Sequence, residues 1–119
     1  MYTPAYIEKK INSEMIGFHF GMGAFHIFCE TRKINLDKIQ DEFEKDNMGA
    51  MSDLLYSAAK FNLLLKGKDV PFNKYTAMTW LDVLTEKDIN EIMEVFSKSQ
   101  IMGKKLIEEE KGAKKKVIK

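Results

Sequence analysis

The hydrophobic period changes around residues 20–23, and that change restricts the chain to a small hairpin followed by helices. In Ile16-Gly17-Phe18-His19-Phe20, Ile16, Phe18 and Phe20 fall on one face and Gly17 and His19 on the other. Alternation of this kind marks a half-buried strand. Ile7-Glu8-Lys9-Lys10-Ile11 precedes it across Asn12-Ser13-Glu14. Asn12-Ser13 suits a tight turn, since Asn tolerates positive φ better than most residues. An isolated hairpin is marginal in water, so this one must lean on other elements.

Beyond Gly21-Met22-Gly23 the spacing becomes helical. Met22, Phe25, Phe28, Cys29 and Arg32 share one stripe, the pattern of a helix with one face inward. Asn35 is placed to cap a helix carrying Leu36, Ile39 and Phe43, with Asp37 in its first turn. After Asn47, a longer helix aligns Met51, Leu54, Leu55, Ala58, Phe61 and Leu65 and stops near Gly67. Val70-Pro71-Phe72 connects to Asn73 as the next cap, and Tyr75, Met78, Leu81 and Trp80 are expected to face inward. Thr85-Glu86-Lys87-Asp88 has the form of a capping box. The helix it opens places Ile89, Ile92, Met93, Phe96 and Gln100 on one side, and Leu106 and Ile107 extend that face unless Gly103 stops it. The expected fold is mainly α: a small N-terminal β-hairpin and about five packed helices in a single domain. Residues 1–107 form that domain, and 108–119 a charged, flexible tail.

A chain of 119 residues with 45% hydrophobic content can bury a core without a metal or disulfide staple. The formal charge of +1 hides an uneven distribution: residues 111–119 carry five Lys and no acid, which leaves −4 on residues 1–110. No apolar run is long enough to span a membrane. The N-terminus lacks the order of a secretory signal, and the single Cys29 cannot form an internal disulfide. A cytoplasmic protein is expected.

Enzyme chemistry finds little support. His26, Cys29 and Glu30 stand at i, i+3 and i+4, but Cys29 lies on the apolar stripe, where a thiol acts as a small hydrophobe. His19 is the only other soft ligand for a zinc site, and nothing in the spacing supplies the orienting third group or cleft that a Cys–His nucleophile needs. Asp41, Glu42, Glu44 and Asp46 alternate with Lys38 and Lys45 and read as a solvated helix face. Phe20-Gly21-Met22-Gly23 lacks the spacing of a phosphate loop. No catalytic residue, cofactor or metal is expected. Met48, Met51, Met78, Met93 and Met102 mostly follow inward stripes, although Met also serves surfaces that adapt to partner helices. The basic tail lacks the Arg and aromatic residues of a specific nucleic-acid reader.

The succession of hairpin, Phe18-His19-Phe20-Gly21-Met22-Gly23-Ala24-Phe25 and Met51-Ser52-Asp53-Leu54-Leu55-Tyr56-Ser57-Ala58-Ala59 resembles the tail assembly chaperones of long-tailed bacteriophages. In that family a strand ending in an aromatic–Gly pair runs into a helix bearing a small and an apolar residue, here Ala24 and Phe25. The second segment is similar to the family's central helix. The resemblance covers roughly residues 5–107; the stretch from Leu63 to Lys68 has no counterpart, and no binding residue carries over by motif.

The resemblance implies a protein that binds tape-measure and/or tail-tube protein in the host bacterial cytoplasm and is absent from the mature virion. It also implies a longer frameshifted product, with Lys114, Lys115 and Lys116 as the residues an A-rich slippery run would encode. Met93, Phe96, Met102, Leu106 and Ile107 are the residues proposed from the chain itself to meet the partner. A homo-oligomer stays open. The alternatives are a small head–tail completion or connector protein of the virion, and a small nucleic-acid-binding regulator using the basic tail.

Overall fold

Asn12 and Ser13 both take positive φ, 52° and 72°, which makes the hairpin turn type I′, the turn whose twist matches that of paired strands. A computed structural model describes residues 5–98, 100, 101, 104 and 105 of the chain. The turn joins β1 (Ala5–Ile11) to β2 (Glu14–Phe20) in an antiparallel ladder from Ile11 opposite Glu14 to Ala5 opposite Phe20. One face of the hairpin sends Ile11, Phe18 and Phe20 into the core. Lys9, on that same face, pairs with Glu91 and, at 3.2 Å, with Asp88.

Gly21, at φ 149°, lets the chain turn out of β2 and into α1 (Met22–Arg32). A side chain would be strained in that conformation. Lys33 adopts the left-handed conformation at the end of α1, and the Ile34 N–H returns to the Cys29 carbonyl at 3.0 Å. A short 3-10 turn (Leu36–Lys38) then leads into α2 (Ile39–Lys45). The Asn35 side chain makes no capping bond, so its expected role falls to the 3-10 turn instead.

The 19-residue α3 (Asn47–Leu65) is the centre of the molecule, with α1, α2, α4 and β2 packed around it. Asp46 caps it by accepting from the Gly49 N–H at 3.1 Å. Ala50, Ala58 and Ala59 are buried, and their small side chains permit close helix approach. The helix ends as the Lys68 N–H bonds the Leu63 carbonyl and the Gly67 N–H bonds that of Leu64. This is the Schellman arrangement. Leu65 lies beyond the packed part of the helix and is exposed, against its expected inward position.

Capping boxes at Asn73 and Thr85 open α4 (Lys74–Val83) and α5 (Glu86–Ser97). The buried stripe of α4 is Ala77 and Trp80, followed by Leu84, and Tyr75 and Met78 face outward. The expected orientation is corrected on this point. Trp80 has the largest apolar surface on α4, and packing its ring between Phe18 (5.8 Å) and Phe72 (5.1 Å) turns Tyr75 and Met78 to the far side. After α5 a minimal ladder pairs β3 (Gln100–Ile101) with β4 (Lys104–Lys105). Gln100 is thus in a strand and does not extend the α5 stripe. The fold is mainly α, with one N-terminal hairpin and five α-helices among the described residues.

Candidate functional site

Of the residues expected to meet a partner, Phe96 belongs to the core. It is 2% exposed, and its ring lies 5.7–5.8 Å from those of Phe20, Phe25 and Phe43. A surface role for it is therefore corrected: the helix spacing that suggests a docking face is the spacing of core packing. Met93 is partly buried against the same core. Met102, Leu106, Ile107, Lys114, Lys115, Lys116 and the tail 108–119 lie outside the described residues.

The surface does hold apolar groups, but elsewhere. Met48 is 73% exposed and Met78 47%, against the inward positions expected for them. Met15 and Met22 are exposed as well. Tyr75, Met78 and Val83 are exposed on the outer side of α4, interleaved with the exposed Thr79 and Asp82, while Ala77 and Trp80 anchor its inner side.

The clusters that could have carried chemistry resolve differently. His26 and Glu30 form an exposed pair at 3.5 Å, while Cys29 is buried. Burial and the nearby Asp37 push the Cys29 thiol up, away from the thiolate that a nucleophile requires. Among the described residues no three His, Cys, Asp or Glu side chains are placed to hold a metal ion.

The acidic run on α2 is not a uniformly solvated face. Arg32, at the end of α1, donates from Nε to Glu42 (2.7 Å), from Nη1 to Asp53 (2.7 Å) and from Nη2 to Asp46 (3.2 Å). Its guanidinium also lies 5.9 Å from the Phe28 ring centre. Burial alone would lower the Arg32 pKa, but its carboxylate hydrogen bonds outweigh this and raise it. The bonds from Arg32 and then Lys45 hold the Glu42 carboxyl below its ordinary range. One cation thus ties together the end of α1, the side of α2 and the start of α3.

A groove of a different kind opens between the hairpin and the last turns of α3, with a cavity of about 280 Å³. Gly17 lies at its base. A Cβ there would overlap the Tyr6 hydroxyl and come 2.7 Å from Asn62 Nδ2, so the missing side chain leaves both polar groups room. The Tyr6 hydroxyl donates to Glu8 at 2.7 Å. Burial, then this bond and the Glu8 charge, push its pKa up to about 12. Asn62 is 6% exposed, and its carboxamide has no hydrogen-bond partner among the described residues. Leu63, Phe72 and Met15 supply apolar walls, with Glu14 and Lys66 among the charged lining.

This chain matches no family model, no curated protein and no solved structure. The sequence holds a signal for the groove: Asn62 falls on the α3 stripe with Met51, Leu55 and Ala58, a polar residue where the period calls for an apolar one. Gly17 within a strand is a second signal, since such glycines often mark a close approach.

Proposed function

We propose that the chain is a phage tail assembly chaperone, a binding protein that holds tape-measure and/or tail-tube protein during tail morphogenesis and leaves before the virion matures. The observation that carries this reading is α4, which presents Tyr75, Met78 and Val83 to solvent while its opposite side is locked into the core. A flexible Met beside a Tyr can pack against amphipathic helices of varied shape. Exposed Met15, Met22 and Met48 add adaptable apolar surface. The similarity of the hairpin–helix opening and of α3 to the chaperone family supports the same reading, as does the −4 charge on residues 1–110, which favours clients with basic faces. Binding, rather than catalysis, is the proposed activity, and the host cytoplasm its proposed location.

Co-expression with the tape-measure and tail-tube proteins of the same phage tests it. The chain should co-purify with one of them, the yield should fall on Tyr75→Glu/Met78→Glu, and purified virions should lack it. Stoichiometric copies in purified particles would sink the reading in favour of a connector protein.

A further inference from the structure

We propose that the groove over Gly17 is a recognition site for an extended peptide segment, with the Asn62 carboxamide as its main-chain contact. The inference does not rest on a role in tail assembly. It begins from an imbalance: Asn62 is more than nine-tenths buried, lines the cavity, and has no hydrogen bond among the described residues. Such an amide destabilises the free chain unless something pairs with it.

A carboxamide offers an N–H donor and a C=O acceptor side by side. The N–H and C=O of a single residue in extended conformation point to the same side of the strand, so one such residue can satisfy both. The adjoining Tyr6 oxygen, having given its proton to Glu8, remains an acceptor for a second N–H. Its high pKa keeps it neutral over the whole physiological range.

The lining selects among ligands that carry amides. Leu63, Phe72 and Met15 form an apolar wall for one side chain. Glu8 and Glu14 lie on the hairpin side and Lys66 and Lys68 on the α3 side, so charges of both signs flank the entrance, as suits a polypeptide of mixed charge. A volume of about 280 Å³ falls just under the roughly 300–1,000 Å³ of pockets for whole drug-sized ligands. It fits one residue of a chain that continues across the surface.

The test uses the full chain, isotope-labelled for NMR, and N-acetyl-leucine N-methylamide as the probe. Its leucine residue carries the N–H/C=O pair and an apolar side chain without end charges. The Asn62 side-chain NH₂ and the Gly17 amide should shift together and saturate with a roughly millimolar dissociation constant, as expected for a ligand of this size. Free leucine, which lacks the amide pair, should bind at least about tenfold more weakly.

Asn62→Leu should weaken the probe by a similar factor while the thermal midpoint holds or rises, because an unpaired buried amide has been removed. Gly17→Ala, which fills the base of the groove and leaves Asn62 in the chain, should give the same loss and serves if the first variant fails to fold. The proposal is overturned if the probe gives no saturable shift, if the variants bind it as well as the native chain, or if free leucine binds more tightly. It is also overturned if the groove signals change with protein concentration alone, which would mark a contact between copies. None of these results bears on co-purification with tail proteins, so the two readings fail separately.

Discussion

Replacing Arg32 by methionine keeps most of the side chain's length and removes its charge, which separates the ion network from simple packing. Three carboxylates lose a partner, but unequally. The Asp46 side chain is 53% exposed and rehydrates, so its share is close to nothing. Glu42 and Asp53 are only 9% and 10% exposed at the side chain and stay where they are. Glu42 retains Lys45 at 3.0 Å, whereas Asp53 retains no side-chain partner among the described residues. Removing one member of a buried ion pair costs about 3–5 kcal/mol. Because Arg32 is itself slightly exposed and Glu42 keeps a second cation, about 2–4 kcal/mol is expected at pH 7. For a chain of this length that lowers the thermal midpoint by roughly 10 °C.

Urea unfolding followed by circular dichroism measures the loss, and its pH dependence identifies the cause. In the native chain the Glu42 pKa is depressed by Arg32 and Lys45. Its contribution is therefore complete above the unfolded value of about 4.3 and is lost as pH falls through the lower folded value. The stability gap between the two proteins should narrow as pH falls below about 4.3, through the lower folded value of Glu42. A gap that stays constant over that range leaves only packing as its cause. A loss below about 0.5 kcal/mol at pH 7 marks a surface pair. Either result refutes the reasoning.

The two faces of α4 should respond in opposite ways to substitution: Tyr75→Ser and Met78→Ser each stay within about 0.5 kcal/mol of the native chain, while Trp80→Ala, which empties the space between Phe18 and Phe72, costs about 3–5 kcal/mol. Equal losses on both faces in urea titrations would show the helix to be oriented otherwise. His19, whose ring meets Phe61 edge-on at 5.2 Å, has its pKa lowered by burial. Its contribution to stability is full above the unfolded value of about 6.5 and is lost as pH falls below it. Native stability should decline from about pH 7 to pH 5 and His19→Gln should flatten that decline; an unchanged slope in the variant assigns the effect to other groups.

Legibility in the sequence follows the range of the interaction. The tight turn at Asn12-Ser13, the cap at Asn73, the capping box at Thr85 and the end of α3 near Gly67 depend on residues a few positions apart, and the local sequence places each of them. The orientation of α4 is of another kind. Its ten residues allow two faces, and Trp80 decides between them by packing between Phe72 and Phe18, the latter some sixty positions earlier in the chain. The Arg32 network is hidden for the same reason. Arg32 reads as the polar end of one stripe and Glu42 as one acid among several, until α1, α2 and α3 converge. Asn62 stands out as an irregularity on the α3 stripe, yet nothing local shows that Gly17 faces it.

Asp53 and Asn62 show how differently one helix can treat two buried polar groups. Nine residues separate them, which on α3 is about 14 Å along the axis and about half a turn in direction. Asp53 therefore points to the α1 side, where Arg32 meets it, and Asn62 points to the hairpin, where Gly17 offers no side chain to pair with. A serine or threonine at position 17 could have supplied a partner, but even a bare Cβ collides with the Tyr6 hydroxyl. The glycine that allows the hairpin to approach α3 is thus the same residue that leaves the amide open. Sites so far apart, with no shared partner, contribute almost independently to stability. The Arg32 end can hold the helices together while the Asn62 end stays open to a ligand, because rigidity at one end places no demand on the groove at the other.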